Sequence, residues 1–208
     1  MTPAVLLAEG LARLGVALPE AAPRALLAYV ELLAKWNRTY NLTAIREPGR
    51  MVSHHLIDCL AVLPHLPAGS LADVGSGGGL PGIPIAIAQP GRKVVLNDSN
   101  HKKGAFMRQA VIELGLANVE VHIGRAEDWR PENLFDGVIS RAFAELAGFI
   151  SLCRHLIKPG GFVAAMKGVH PGEEIARLPG ELRCEPALNL QVPLGVGERH
   201  LVICRPGH

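Results

Sequence analysis

Cysteine is scarce in this sequence, and the four cysteines are scattered: Cys59, Cys153, Cys184 and Cys204. They form no Cys-x-x-Cys pair and have no cluster of histidines beside them. This spacing argues against a zinc site and against a disulfide framework. We therefore expect reduced, mostly buried thiols in a cytoplasmic protein that holds no metal.

Long apolar runs are absent as well. No uncharged apolar stretch reaches the roughly 18 residues that a membrane span requires. The N-terminus, MTPAVLLAEGLARLG, is apolar, but it lacks a basic leader and reaches Glu9 too early for a signal peptide. We therefore expect a soluble protein with no membrane partner.

Neither sign of charge dominates, and aromatic side chains are few. The chain has 21 Lys and Arg against 19 Asp and Glu, a net charge of +2, and 4% aromatic residues. This balance permits a nucleic-acid partner without predicting one, because nucleic-acid-binding domains usually carry a stronger basic patch. With 208 residues, 49% of them apolar, the chain is long enough for one globular domain with a core.

The spacing of apolar residues changes once along the chain. Residues 1–66 have helical spacing throughout, as in Leu26, Leu27, Val30 and Leu33. From Leu71 onward, apolar β-type runs alternate with helical stretches, which is typical of βαβ units and a parallel sheet. The predicted strands are 71–75, 93–97, 119–123, 136–140 and 161–166, and the predicted helices between them are 80–88, 100–115 and 145–157.

The C-terminal part departs from that alternation. Two β-rich runs, 187–192 and 199–204, predict an antiparallel hairpin. The sequence therefore predicts a Rossmann-like α/β fold with a mostly parallel sheet and an antiparallel C-terminal hairpin. We expect residues 1–66 to form an N-terminal helical extension and residues 67–208 to form one compact unit.

A glycine-rich loop follows the first predicted strand, in LADVGSGGGLPGIPIAIA from Leu71 to Ala88. The carboxyl end of a strand that leads into a helix is where open α/β sheets bind ligands. Glycines let the backbone turn sharply and approach a ligand closely. Pro81 and Pro84 fit the first turn of a helix that starts near Leu80, because N–H groups there have no intrahelical acceptor to lose. We therefore expect a ligand-binding loop rather than a purely structural turn.

Two ligands fit this loop. The pattern Gly77-x-Gly79-x-x-Gly82 satisfies the dinucleotide fingerprint, with Asp98 after the second strand placed to hold ribose hydroxyls. Asp73 lies two positions before the first glycine of Asp73-x-Gly75-x-Gly77-x-Gly79, and this arrangement resembles the first motif of class I S-adenosylmethionine-dependent methyltransferases. A carboxylate there suits the positive charges of that cofactor. As isolated residues, Asp73 could equally be a strand-end cap and Asp98 a helix N-cap.

Five segments, in order, resemble one family: LADVGSGGGLPGIPIAI, VLNDSNHKKGAFM, DGVISRAFAEL, FVAAMKG and GERHLVI. The stretch WNRTYNLTAIREPGRMVSHHLIDCLAVLPHL is similar to the helical extension of the same family. It is the family of bacterial 16S ribosomal RNA guanine-N7 methyltransferases, once called glucose-inhibited division protein B. The departures are small: Cys59 replaces a more usual serine, and Asn97 replaces a more usual aliphatic residue. The resemblance implies methyl transfer from S-adenosylmethionine to a guanine N7 of 16S rRNA in the small ribosomal subunit, and we expect a monomer.

The resemblance also implies a cofactor site. Gly75 and Leu80 in the loop, Ala126 and Glu127 after the third strand, and Arg141 match family cofactor contacts. The loop residues Ser76, Gly77 and Gly79 and the ribose ligand Asp98 complete the expected set. As isolated residues, Glu127 could be a surface side chain and Arg141 an ion-pair partner of Glu145.

Arg141 is also the expected catalytic residue, in a positioning role. Guanine N7 has an in-plane lone pair and no proton to remove, so the reaction needs alignment and exclusion of water but no general base. Because the guanine becomes cationic, we expect Arg141 to be neutralised by the methionine carboxylate or by a phosphate. The chain lacks the cysteine nucleophile of C5 methylation and the Asn/Asp-Pro-Pro-aromatic loop typical of exocyclic amine methylation.

The residues that contact RNA are the least evident from the sequence. Basic or polar side chains can contact RNA phosphates. The candidates in this sequence are Asn41, Arg50, His55, Lys102, Lys103, Lys167 and Arg199. Each charge could equally belong to a solvated helix face, and His55 could pair with Asp58. Base stacking would depend on Trp36, Tyr40, Phe143 or Arg141.

Two other functions remain open from the sequence. A NAD-dependent oxidoreductase shares the glycine pattern, but Asp73 and the C-terminal hairpin argue against it. A non-catalytic ribosome-associated RNA-binding protein would keep only a vestigial pocket, and the intact glycine loop with Asp98 and Glu127 argues against such decay.

Overall fold

The N-terminal part of the chain is helical, as predicted. The structure is a computed structural model, and the residues that it describes are 1–141, 143, 145–179, 182–195 and 197–206. The hydroxyl of Thr2 caps the first helix by accepting from the backbone N–H of Val5 at 3.4 Å. The helices are α1 (Pro3–Leu14), α2 (Ala22–Tyr40), α3 (Pro48–Met51) and α4 (Asp58–Leu60), with a π-helical stretch (Val52–Ile57) between the last two and a 3₁₀ turn (Leu63–His65) after them.

A single sheet forms the centre of the fold within the described residues. Its strand order is β3-β2-β1-β4-β5-β8-β6, and β7 also pairs with β8. The first five strands are parallel, whereas β8 runs antiparallel to β5, β6 and β7. The strands are β1 (Leu71–Val74), β2 (Val94–Asp98), β3 (Val119–Ile123), β4 (Phe135–Ser140), β5 (Ile157–Lys167), β6 (Leu182–Cys184), β7 (Leu188–Asn189) and β8 (His200–Pro206).

Helices cover the sheet and alternate with its parallel strands. The helix after the glycine loop begins at Gly82, two residues later than predicted, so Pro81 precedes it and Pro84 lies in its first turn. Asn100 caps the next helix, because its side-chain oxygen accepts from the backbone N–H of Lys102 at 2.9 Å. These helices are α5 (Gly82–Ala88), α6 (His101–Glu113), α7 (Leu146–Cys153) and α8 (Gly172–Ala176), with 3₁₀ turns at Ala126–Asp128 and Arg154–Leu156.

One core cluster joins the N-terminal helices to the sheet. Leu26 and Leu33 of α2 and Met51 of α3 are buried in the same cluster as Leu96 of β2 and Phe106 of α6. All four residues of β1 are buried, as expected for a parallel strand covered on both faces. The N-terminal helices therefore pack on the sheet beside the glycine loop.

The C-terminal part confirms one prediction and corrects another. The predicted antiparallel hairpin is present, with Leu188 of β7 opposite Leu201 of β8. The expectation of reduced thiols is wrong for Cys184 and Cys204, which form a disulfide, while Cys59 and Cys153 are free and buried. The register places Cys184 of β6 directly opposite Cys204, and β6, like α8, was not predicted from the sequence.

The described part of the chain lacks two kinds of feature. It contains no helix with the length and apolarity that crossing a membrane would take. It also contains no group of three or more His, Cys, Asp or Glu side chains arranged to hold a metal ion.

Candidate active site

The glycine loop adopts backbone conformations that favour glycine. Gly75, Gly77 and Gly79 have φ angles of 72°, 60° and 83°, in the left-handed region that other residues enter only at a cost. The backbone N–H groups of Gly75 and Ser76 both donate to the carbonyl of Asn97 at 2.9 Å, which ties the loop to the end of β2. The buried hydroxyl of Ser76 donates to the carbonyl of Asp73 at 2.7 Å, so this side chain holds the turn together.

Asp73 lies beneath the loop and is completely buried. Its Oδ2 accepts from the backbone N–H of Gly82 at 2.8 Å, which fixes the start of α5. Its Oδ1 is buried without a hydrogen-bond partner among the described residues. Burial raises the pKa of this carboxyl to about 7, although the bonds from Gly82 and Ser76 oppose the shift. One acceptor next to the glycine loop therefore lacks a donor.

Asp98 closes the loop from the end of β2. Its Oδ2 accepts from the backbone N–H of Gly77 at 3.0 Å, and its Oδ1 accepts from that of Asn100 at 2.9 Å. The Nζ of Lys103 lies 3.5 Å from Oδ2. Asp98 thus joins the glycine loop to the residue before α6. Its contact at the start of this helix does not prevent it from also lying at the candidate ligand site.

A cavity of about 260 Å³ opens at the carboxyl edge of the sheet. It brings together four of the predicted cofactor residues, Gly75, Asp98, Ala126 and Glu127. Ser76 and Leu80 are buried within the loop, and a Cβ on Gly79 would approach Ile83 Cδ1 to 2.3 Å. The remaining lining residues are Val74, Asn97, Ser99, Gly124, Arg125, Phe143 and Leu152.

A larger cavity, of about 710 Å³, lies elsewhere. Ser70, Lys93 and Asp136 line it, and these residues precede or begin strands, so the cavity borders the amino edge of the sheet. Ligands of open α/β sheets bind outside the carboxyl ends of the strands. The smaller cavity beside the glycine loop is therefore the candidate active site.

The residues of the smaller cavity fit the expected cofactor. The loop has no side chains at Gly75, Gly77 and Gly79, and its backbone can approach a ligand closely. The carboxylate of Asp98 provides negative charge at the loop, which suits a cofactor with sulfonium and ammonium groups.

Arg141 follows β4 and contacts the N-terminal helical segment. Its Nη1 lies 3.5 Å from Asp58 Oδ2 and 3.2 Å from His55 Nδ1, and it donates to the carbonyl of His54 at 3.4 Å. Asp58 rather than Glu145 is thus its ion-pair partner among the described residues. We expected the charge of Arg141 to be neutralised by the methionine carboxylate of the cofactor or by an RNA phosphate. The carboxylate of Asp58 already lies beside it within the protein.

His55 supports Arg141 from inside the protein. Its ring is 5% exposed, and its Nε2 lies 2.8 Å from Thr43 Oγ1. Burial, together with the charge of Arg141, lowers the pKa of His55 to about 4, so the ring is neutral at pH 7. A buried, neutral imidazole does not fit the predicted direct contact with a phosphate, and the considered pairing of His55 with Asp58 is replaced by contacts with Arg141 and Thr43.

Lys167 and Arg199 also have protein partners. Lys167 is 9% exposed, and its Nζ donates to both carboxylate oxygens of Glu174, at 2.8 and 3.1 Å. This ion pair with α8 does not fit the predicted phosphate contact of Lys167, since the ammonium is buried and neutralised. Arg199 donates from Nε to Asp58 Oδ1 at 2.9 Å, but a quarter of its side chain (25%) remains exposed.

The other predicted RNA contacts lie at the surface. Asn41, Arg50 and Lys102 are exposed, and Lys103 is partly exposed (37%) beside Asp98. Asn41 ends α2 with φ 50°, and its Oδ1 accepts from Arg46 Nη2 at 3.2 Å. Lys102 and Lys103 lie in the first turn of α6, which follows the carboxyl end of β2, and Arg50 lies in α3.

Two positions in the helical extension that support the site were missed by sequence reasoning, and a third, Asp58, was considered only as a partner of His55. The hydroxyl of Tyr29 in α2 donates to the carbonyl of Gly78 at 2.6 Å and so holds the glycine loop. Asn37 holds the segment after α2, accepting from Thr43 N at 2.9 Å and donating to Ile45 O at 3.1 Å. Asp58 joins Arg141 and Arg199. Of these, only Asn37 offers a sequence signal, because it is a polar residue on the apolar face that includes Leu33.

Known proteins of one family are similar to this chain over most of its length. A family profile described as rRNA small subunit methyltransferase G matches residues 23–202. Ribosomal RNA small subunit methyltransferase G of Laribacter hongkongensis (strain HLHK9) is 55% identical over 196 residues, 94% of this chain and 95% of that protein. The protein of the same name from Burkholderia pseudomallei (strain 1106a) is 54% identical over 95% of this chain and 88% of its own length.

Solved structures share the fold at low sequence identity. The DhpI–SAH complex superposes with a TM-score of 0.56 at 19% identity, covering 88% of this chain and 96% of that one. TrmN from Thermus thermophilus superposes with a TM-score of 0.58 at 19% identity, covering 82% of this chain and 53% of that one. These likenesses confirm the class I methyltransferase fold that the sequence predicts.

Proposed function

The chain belongs to the rRNA small subunit methyltransferase G family, and from that membership we propose that it methylates N7 of a guanine in 16S rRNA. It is an S-adenosylmethionine-dependent rRNA methyltransferase. The comparisons give no support to a NAD-dependent oxidoreductase or to a non-catalytic RNA-binding protein. The family name specifies methylation of small-subunit rRNA. The proposal adds that the methylated base is a guanine and that the methylated atom is N7.

The observation that carries the N7 proposal is the chemistry of the side chains around Arg141. His55 is buried with a pKa of about 4, which makes it a weak base, and both of its ring nitrogens contact protein groups, Thr43 and Arg141. Asp58 is engaged by two guanidinium groups. Burial raises the pKa of the Cys59 thiol well above its ordinary value, so it is no thiolate nucleophile. None of these groups is poised as a base or nucleophile, and guanine N7 requires neither, because its lone pair is free in the ring plane.

We propose that the cofactor is held by the residues that the sequence identified except Arg141, which does not line the cavity and lies against Asp58 and His55. Gly75, Ser76, Gly77, Gly79 and Leu80 form the loop, and Asp98, Ala126 and Glu127 the facing wall. When bound, S-adenosylmethionine supplies a methyl group on a positively charged sulfur. Asp98 would accept hydrogen bonds from the ribose hydroxyls, the glycine backbone would allow the cofactor to approach the loop closely, and Phe143, which lines the cavity, would exclude water from it.

Arg141 orients the target base without exchanging a proton. Its guanidinium can stack on a base or donate to it in a fixed plane, and Asp58 balances its charge as the guanine becomes cationic. We propose that RNA phosphates are contacted by Asn41, Arg50, Lys102 and Lys103 at the surface, with the exposed part of Arg199 near the base. His55 and Lys167 take supporting roles inside the protein.

We further propose that the protein acts as a monomer in the cytoplasm, where small ribosomal subunits are assembled. The division into an extension (1–66) and a catalytic unit (67–208) remains a prediction about the chain. The cluster that buries α2 together with β2 and α6 supports treating the two as one working unit.

Mass spectrometry of 16S rRNA from a strain that lacks the gene tests the function. We expect one 7-methylguanosine to be missing and to return when the parent gene, but not one encoding Gly77→Val, is supplied. Unchanged methylation in the deletion strain, or loss of a methyl group from another atom, would contradict the proposal.

A further inference from the structure

Asp58 occupies an unusual position for a carboxylate. It begins α4 in the helical extension, 2% exposed, and each of its oxygens faces a different arginine. Oδ2 lies 3.5 Å from Arg141 Nη1, and Oδ1 accepts from Arg199 Nε at 2.9 Å. Arg141 follows β4 and Arg199 precedes β8, two strands that are separated by β5. One buried carboxylate therefore joins two arginines from different strands.

The two sides of this cluster differ in exposure. The side chain of Asp58 is 3% exposed, whereas those of Arg141 and Arg199 are 24% and 25% exposed. Burial raises the pKa of Asp58, and both arginines oppose that shift. A buried carboxylate without partners would be strongly unfavourable, so the arginines keep Asp58 ionised while part of each guanidinium remains open to a substrate.

The charge of the cluster suits methyl transfer to a neutral ring nitrogen. Two unpaired arginines would place two positive charges beside a guanine that becomes cationic. With Asp58 between them, the three side chains have a net charge of +1, which one RNA phosphate can balance. The carboxylate also restricts both guanidinium planes, and alignment within the site is the main contribution that a reaction without proton transfer requires.

We propose that Asp58 is a positioning residue of the methyltransferase, acting through Arg141 and Arg199 to fix their orientation and reduce their charge. This inference rests on the proposed N7 methylation, because it is the developing cation that makes the charge balance matter. Asp58 itself takes no proton and touches no reacting atom.

A double-mutant cycle tests the proposal. The variants are Asp58→Asn, Arg141→Ala and the double variant, and the measured quantity is the single-turnover rate of methyl transfer with both substrates saturating. We expect Asp58→Asn to lower the rate by about tenfold or more in the parent and by less than about threefold when Arg141 is already alanine, since coupled residues are not additive. Asp58→Glu, which keeps the charge, should retain more of the rate than Asp58→Asn.

Asp136→Asn is the matched control. Asp136 is also ion-paired, to Lys158 at 2.8 Å, but it is the second residue of β4 and lies near the opposite, amino edge of the sheet. We expect its rate to stay within about twofold of the parent, as for independent distant sites. Affinity for S-adenosylhomocysteine, measured by calorimetry, should be unchanged in both aspartate variants.

Several results would overturn the proposal. It would be overturned if the losses in the cycle were additive or if Asp58→Asn left the rate unchanged. It would also be overturned if the rate fell only in proportion to the fraction of the variant that is folded. If Asp58→Asn does not fold, Asp58→Glu replaces it in the cycle, with an expected loss of about threefold that disappears in the Arg141→Ala background. Nucleoside analysis of the parent product separates the two proposals: additive losses with N7 methylation overturn the role of Asp58 alone, whereas methylation of another atom overturns the N7 assignment together with it.

Discussion

The glycine loop and the helical segment 48–60 hold the same site by different means. The loop relies on backbone: three glycines with positive φ and N–H groups that donate to Asn97 and Asp98. The helical segment relies on buried side chains, with His55 and Asp58 placed against Arg141. The comparison shows that one part of the site depends on local conformation and the other on contacts between distant parts of the chain. The variants below separate these two dependences.

The largest expected effect is at the loop. Gly77 has φ 60° and no atom within 4 Å of a built Cβ, and Gly115, after α6, has φ 62° and equally open surroundings. Valine at either position should cost about 1–2 kcal/mol of backbone strain, but only Gly77→Val should abolish binding of S-adenosylhomocysteine in calorimetry. Equal affinity for the two variants would show that the loop does not contact the cofactor.

The contact from the helical extension to the loop should have a smaller effect. Tyr29→Phe removes the donor to the Gly78 carbonyl and leaves that buried acceptor unsatisfied. We expect the free energy of unfolding in urea to fall by about 1–3 kcal/mol and cofactor affinity to weaken severalfold. Tyr40→Phe is the control in the same helix, because Tyr40 is 42% exposed. Equal stability of both variants would mean that the extension does not hold the loop.

The buried carboxyl of Asp73 should make the stability of the protein depend on pH. Because its pKa in the folded protein is about 7, above the ordinary value, the folded protein retains a proton that the unfolded chain has released. Stability from this group is therefore present below about pH 4 and is lost as the pH rises to about 7. The parent should lose stability across that window relative to Asp73→Asn in urea unfolding.

Asp136→Asn is the control for this measurement. Hydrogen bonds from Lys158 and Ser70 lower the pKa of Asp136 to about 2, so its contribution is lost only as the pH falls from about 4 to about 2 and is complete above about pH 5. The difference between the parent and Asp136→Asn should be constant from about pH 5 to 8. A constant difference for Asp73→Asn as well would show that its carboxyl is already ionised in the folded protein.

The smallest effects concern the RNA surface. If Arg50 and Lys102 contact phosphates, Ala at either position should reduce the slope of log affinity against log salt by about 0.7–0.9. Lys93→Ala is the control, because Lys93 precedes β2 at the amino edge of the sheet and pairs with Glu120 at 2.8 Å. Filter binding to a 16S rRNA fragment at several salt concentrations measures the slopes, and equal slopes for all three variants would place the RNA elsewhere.

The parts of the molecule that could be predicted are those governed by local patterns. Apolar β-type runs that alternate with helical stretches predicted the five parallel strands and the main helices, and the glycines with Asp98 predicted the candidate cofactor site. Tyr29 lies 49 residues from Gly78, and Asp58 lies 141 residues from Arg199. No local pattern reports such pairings, because they are set by how α2 and segment 48–60 pack on the sheet.

The same reason explains where expectation and structure differ. His55 and Lys167 were expected to contact RNA, Lys167 because MKG matches the family, but tertiary packing buries both and supplies Arg141, Thr43 and Glu174 as partners. The Cys184–Cys204 disulfide depends on β6, a three-residue strand whose register only the fold determines. Short elements and buried polar pairs are therefore where structure adds most to sequence.

Transfer of an isotopically labelled methyl group by the purified protein tests the central claim most directly. The protein would be incubated with labelled S-adenosylmethionine and small-subunit rRNA, both naked and in assembled subunits, and the RNA digested to nucleosides for mass spectrometry. The account predicts one labelled 7-methylguanosine per RNA molecule in at least one of the two substrates. Label on any other atom, or no label in either substrate with a protein that binds the cofactor, would contradict it.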